Sequence, residues 1–140
     1  MTTRILDQET IGFLNFFEKN IHVSPKDCFT FEDHITFIVP DGQGRKAVGP
    51  KGIKAKKLSE RLKKKIRIIE FNENIEAFIR NLTYPAKISK IYKAGDKNIN
   101  IQAEDYKSRG LLIGRNKKNL DELHEIIHRF FDKDIKIKIE

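Results

Sequence analysis

"AVGPKGIKAKKLSERL", residues 47–62, and "LIGRNKKNLDELHEII", residues 112–127, decide how this chain is read. Aligned on Gly49 and Gly114, Val48 faces Ile113, Ala55 faces Leu120, Leu58 faces Leu123 and Leu62 faces Ile127. The apolar positions agree while the charges differ. Shared periodicity under different surface chemistry is the signature of two copies of one structural unit.

The flanking sequence extends the repeat. "ILDQETIGFLNFFEKN", residues 5–20, carries Ile5, Leu6, Ile11, Phe13, Leu14, Phe16 and Phe17 at the spacing of an amphipathic helix. "CFTF" (28–31) and "HITFIV" (34–39) read as strands around an "EDH" turn, rich as they are in β-branched and aromatic residues. "IKAKKLSERLKKK" (53–65) reads as a helix with Ile53, Ala55, Leu58 and Leu62 toward the core and a basic outer side. "IRIIEF" (66–71) is a strand. The second copy runs through helix 74–82, strand 86–93, the "AGDKN" turn, strand 99–102, a short helix near 104–113, the "GRNK" loop, helix 117–131 and strand 135–139. Each half therefore reads helix, strand, strand, short helix, glycine loop, helix, strand. No Gly/Ser/Pro-rich linker separates the halves. The expectation is two rigidly joined domains, 1–73 and 74–140, meeting near "NEN" at 72–74.

A chain of 140 residues that is 39% hydrophobic and 34% charged can build a core and is not disordered by composition. One cysteine, Cys28, cannot form an internal disulfide, which suits a reducing compartment. The N-terminal stretch has no basic segment followed by an apolar run, and no span is apolar enough for a membrane. A soluble, cytoplasmic protein is expected. Its net charge of +8 is unevenly placed: residues 1–44 carry −4, residues 45–67 carry +10 with Glu60 as the lone acid, and residues 68–140 carry +2. A focused basic segment attracts polyanions as scattered lysines do not, although a lysine-rich solvated helix face has the same composition.

The glycine loop lies inside that segment and admits three readings. "GRKAVGPK", Gly44 to Lys51, approaches a nucleotide-binding P-loop, but Pro50 stands at its lysine position and Lys51 at its magnesium-binding hydroxyl. A ligand-free tight turn is the second reading, because glycine tolerates positive φ. The third is a clamp on a nucleic-acid backbone. Gly49 and Gly52 admit a close backbone approach, and helix N–H groups attract phosphate. Lys51 adds charge inside the loop, and Arg45, Lys46, Lys54, Lys56 and Lys57 surround it. Val48, Ile53 and Ala55 supply the floor of a groove for bases. This G-x-x-G loop between two helices resembles that of a KH domain, which clamps about four nucleotides of single strand.

The resemblance then narrows. "AVGPKGIKAKKLSERLKKKIRIIEFNENIEAFIRNLTYPAKISKI" is similar to the KH region of the NusA family of transcription termination and antitermination factors, most strongly over residues 37–92. A two-unit chain of this length resembles the archaeal NusA-like proteins. The resemblance implies an α+β fold of two tandem type II KH domains, each α-β-β-α-α-β, with helices packed on a three-stranded mixed sheet. It implies a monomeric RNA-binding protein acting in transcription, with the nascent single-stranded transcript as partner and RNA polymerase as a further candidate. It carries the binding role onto Gly49, Pro50, Lys51 and Gly52, and onto Gly114, Arg115, Asn116 and Lys117 with Lys118 beside them. The second loop departs from the pattern: Lys117 replaces its second glycine, where a side chain would narrow the space for a phosphate. The bacterial factor's polymerase-binding domain and OB-type domain have no room in 140 residues.

"HEIIH", His124 to His128, matches the H-E-x-x-H pattern of zinc proteases. A catalytic zinc needs a third protein ligand, and only Asp132, Asp134 and Glu140 follow. The same helix is already committed to a core face of Leu120, Leu123, Ile126, Ile127, Phe130 and Phe131. No other grouping of Ser, His and acid indicates catalysis. No catalytic residue, metal or cofactor is expected. The rival reading from a different class is a protein-interaction module that docks on RNA polymerase or a ribonucleoprotein, with RNA contact incidental.

Overall fold

The structure is a computed structural model and describes residues 7–140. Ile5 and Leu6, assigned above to the first helix, lie outside the described residues. The fold is α+β, with two three-stranded mixed sheets, and the chain divides into two compact units on either side of the Glu73–Asn74 bond.

In the first unit, helix α1 spans Gln8–Ile21. Asp7 starts it by accepting a 2.7 Å hydrogen bond from the Thr10 N–H, and His22 ends it in a left-handed conformation. Strands β1 (Asp27–Thr30) and β2 (His34–Val39) pair antiparallel, with Cys28 opposite Phe37. A crossover of two helices, α2 (Gly44–Val48) and α3 (Ile53–Leu62), returns the chain to β3 (Lys65–Glu70), which lies parallel to β2. Parallel neighbours require such a crossover, and the glycine loop sits in the middle of it. β2 is the central strand, and its alternate residues Ile35, Phe37 and Val39 are fully buried. They meet Phe17 and Ile21 of α1, Ala47 of α2 and Leu58 of α3 in one cluster. The Phe17 and Phe37 rings stack at 4.4 Å.

Helix α3 stops three residues before the expected end. Lys63 turns left-handed and its N–H closes on the Ser59 carbonyl, while the Ser59 hydroxyl donates to the Lys64 carbonyl at 2.6 Å. Lys65 is thereby freed to pair with His34 at the start of β3. Sheet pairing overrides the helix propensity of the lysine run.

The second unit repeats the order: α4 (Ile75–Thr83), β4 (Ile88–Lys93), β5 (Asn98–Ala103), α5 (Tyr106–Ile113), α6 (Lys118–Phe130) and β6 (Lys136–Ile139). β5 is central, antiparallel to β4 and parallel to β6. Ile99 and Ile101 pair with Ile137 and Ile139, and all four are buried. Phe78 of α4 meets Phe130 of α6 edge-to-face at 5.7 Å. Asn74 and Asp105 cap α4 and α5 through the N–H groups of Ala77 and Ser108.

Candidate nucleic-acid interface

The first glycine loop is held from below by a brace that no local pattern encodes. Glu70, the last residue of β3, accepts a 2.7 Å hydrogen bond from the Gly44 N–H, the first of α2. A β-carbon on Gly44 would fall inside the Glu70 carboxylate. Ala47, fully buried, anchors the same short helix in the core. α2 then ends at Gly49, whose N–H donates to the Arg45 carbonyl at 2.9 Å. Gly49 lies at φ 79°, ψ 170°, a region that essentially only glycine enters. Pro50, Lys51 and Gly52 form a single 3-10 turn closed by the Gly52 N–H on the Gly49 carbonyl at 3.0 Å. Lys51 and Gly52 are both left-handed, at φ 55° and 72°.

The second loop has the same backbone. Gly114 lies at φ 76°, ψ 169°, Asn116 at φ 55° and Lys117 at φ 61°. The Lys117 N–H closes on the Gly114 carbonyl at 3.2 Å. The first position of each loop demands glycine twice over, since a β-carbon on Gly114 would stand 2.7 Å from the Asn119 backbone nitrogen. The fourth position does not. A β-carbon on Gly52 would meet only Val48 Cγ1, at 3.9 Å, and Lys117 is exposed. Replacing the second glycine by lysine therefore keeps the loop's shape and adds a charge beside it. Asn119, absent from the first loop, ties α6 to α5 by donating to the Leu111 carbonyl at 2.7 Å.

The charges around the first loop are free to act outward. Arg45, Lys46, Lys51, Lys56 and Lys57 are exposed and Lys54 is half-buried. Among the described residues none of the six is paired with a carboxylate. α3 has no acidic residue in its first turn to offset them. Val48 and Ala55 are half-buried beside the loop. Ile53, expected to face the core, is instead 48% exposed. At 3.6 residues per turn it lies about 140° around α3 from buried Leu58, off the core stripe. It therefore presents apolar surface next to the glycines. In the second loop Arg115, Asn116 and Lys117 are exposed and Lys118 is half-buried, but Asp121 sits in the first turn of α6. Leu111, 43% exposed, gives that loop its own apolar flank; its place in a helix of weak amphipathicity hides it from periodicity.

The H-E-x-x-H histidines are engaged by β6 and the turn that leads into it. His124 Nε2 accepts a 2.9 Å hydrogen bond from the Ile137 N–H, and His128 Nε2 lies 2.7 Å from the Ile135 carbonyl. Nε2 of both histidines is thus engaged within the protein. Burial, with the neighbouring His128 as a smaller cause, pushes the His124 pKa below the usual histidine value. Neutral His124 accepts from the strand at Nε2, and its contact with the Leu120 carbonyl uses the other nitrogen. Of the acids that follow, Asp132 is bonded to Lys97, and Glu140 to Tyr92 and Asn100.

No protein-family model matches the chain. Relatives named "Probable transcription termination protein NusA" do. The Methanocaldococcus jannaschii protein is 31% identical over 136 residues, covering 96% of this chain and 74% of its own. The Halococcus morrhuae protein is 27% identical over 92% of this chain and 94% of its own. The Thermoplasma acidophilum protein is 23% identical over 91% of this chain and 90% of its own. A solved structure, the crystal structure of APE1850, superposes with a TM-score of 0.77 at 24% identity, over 96% of this chain and all of that one. Likeness along nearly the whole length, in a relative of which three-quarters is covered, places the chain in the archaeal NusA-like family.

Proposed function

We propose that this chain is a non-enzymatic, RNA-binding transcription factor built from two tandem type II KH units, acting in termination or antitermination. One observation carries the reading. Two loops of matching backbone angles occupy the crossover between the parallel strands of two units of the same topology, and the first lies in the segment of charge +10. The names borne by its relatives support the role in transcription.

In this mechanism the unpaired cations around residues 45–57 capture the polyanionic strand. Gly49 sets the loop's shape, Gly52 leaves open space for the sugar-phosphate backbone, Lys51 neutralises a phosphate, and bases lie against Val48, Ile53 and Ala55. The second loop makes a weaker contact through Arg115, Asn116 and Lys117, strengthened because it is intramolecular once the first has formed. The nascent transcript is the ligand, and RNA polymerase a further partner. The test is fluorescence anisotropy of single-stranded RNA with wild type and with Pro50→Asp/Lys51→Asp, which keeps both glycines and reverses the loop charge. Loss of most affinity in a variant with unchanged circular dichroism supports the reading. Equal binding by both, or none by either, hands the function to the protein-docking alternative.

A further inference from the structure

The basic side of α3 continues past the glycine loop. Lys54, Lys57 and Arg61 occur at the i, i+3, i+7 spacing that stacks side chains on one helix face. With Asn20 and Ile21 of α1 and with Leu58 they line a cleft of about 240 Å³. Its floor is apolar, since Ile21 and Leu58 are all but fully buried. None of the described residues that line it is acidic. The cleft is also partly organised. Asn20 Nδ2 donates to the Phe16 carbonyl at 2.8 Å, which fixes the amide, and Asn20 Oδ1 in turn accepts from the Arg61 guanidinium. Three like charges on one face repel one another, and among the described residues Arg61 is steadied only by the neutral Asn20 amide.

Lys54 connects this cleft to the glycine loop. Its Cγ occupies the space a β-carbon on Gly49 would need, while the same side chain lines the cleft. From this continuity we infer that the α1–α3 cleft is a second phosphate subsite, taking a backbone phosphodiester of the strand whose neighbouring phosphates lie in the loop. Lys57 and Arg61 hold the phosphate, and Asn20 positions Arg61. Arg61 suits the role, because its planar fork hydrogen-bonds two phosphate oxygens at once. The inference rests on the RNA reading above and extends the footprint beyond the four nucleotides one loop clamps.

The test compares single-stranded RNA of about four nucleotides, enough for one loop, with RNA of about twice that length, for wild type and for Arg61→Gln. The subsite predicts unchanged binding of the short strand. For the long strand it predicts at least a several-fold weaker affinity and a salt slope shallower by about 0.7 for each phosphate no longer neutralised. Equal weakening of both lengths reduces Arg61 to a diffuse field and overturns the subsite, as does no weakening of either. Arg61→Lys, which keeps the charge but loses the planar fork, should recover part of the long-strand affinity and guards against a folding artefact. A titration with inorganic phosphate followed by NMR separates the two claims. If wild type binds no RNA, phosphate-dependent shifts at the Asn20 amide and the Arg61 guanidinium still support a phosphate site, and their absence sinks it.

Discussion

A β-carbon on Gly49 would stand 2.8 Å from Cγ of Lys54 and 3.1 Å from its backbone nitrogen. The first loop residue and the second residue of α3 are thus in contact by way of the missing side chain. Gly49→Ala meets both this overlap and a glycine-only backbone region, so it should lower unfolding stability by about 1–3 kcal/mol. Gly52→Ala meets open space and loses only the left-handed preference, about 1 kcal/mol. Urea unfolding of the two variants checks the order. Equal costs would contradict the assignment of different roles to the two glycines.

Lys117 holds a left-handed conformation that its counterpart Gly52 adopts without a side chain. Lys117→Gly should therefore leave the fold intact and change stability by no more than about 1 kcal/mol, relief of backbone strain offsetting the greater freedom of the unfolded chain. A larger loss, measured by the same denaturant series, would mean that the lysine side chain holds the loop.

Glu70 braces α2 through the Gly44 N–H. Glu70→Ala removes a charged acceptor at a helix N-terminus and should cost about 1 kcal/mol. Because α2 carries the loop, hydrogen exchange should quicken across residues 44–52. Exchange that is unchanged there would rule out the brace.

His124 contributes to stability through its neutral form. Its pKa is lowered in the folded state by burial and by His128, so the unfolded chain binds a proton more readily. Its contribution is complete above the unfolded value of about 6.5 and is lost as pH falls through the lowered folded value. The Tm of the second unit should drop between about pH 7 and pH 5, in the range where histidine titrates. His124→Gln, which can still accept from the Ile137 N–H, should flatten that dependence. For the same reason a chelator should leave the wild-type Tm unmoved, and added zinc should not raise it. A rise with zinc would return the H-E-x-x-H motif to contention.

Much of the fold and of the loop pair is legible in the residues. The alignment on Gly49 and Gly114 locates both crossovers, and the apolar stripe through Leu58 and Leu62 and through Leu123 and Ile127 locates their helices. What escapes the sequence is tertiary. The end of α3 is set by the pairing of Lys65 with His34 across the sheet, and propensity along the chain does not carry that information. The chemistry of Ile53 points to the core, whereas its angular position on the helix puts it beside the loop. The Glu70–Gly44 brace and the Asn20–Arg61 contact join residues far apart in sequence with no shared period. The occupancy of His124 by the Ile137 N–H likewise emerges only when β6 is placed against α6.

The central claim, that the two glycine loops grip single-stranded RNA, is met most directly by amide chemical-shift mapping of the intact chain during titration with a short single-stranded RNA. The account predicts the largest shifts at Gly49–Ile53, with a second, weaker set at Gly114–Lys118 that follows once the first is filled. Shifts confined to surfaces away from both loops, or none at RNA concentrations that saturate the anisotropy signal, would contradict it.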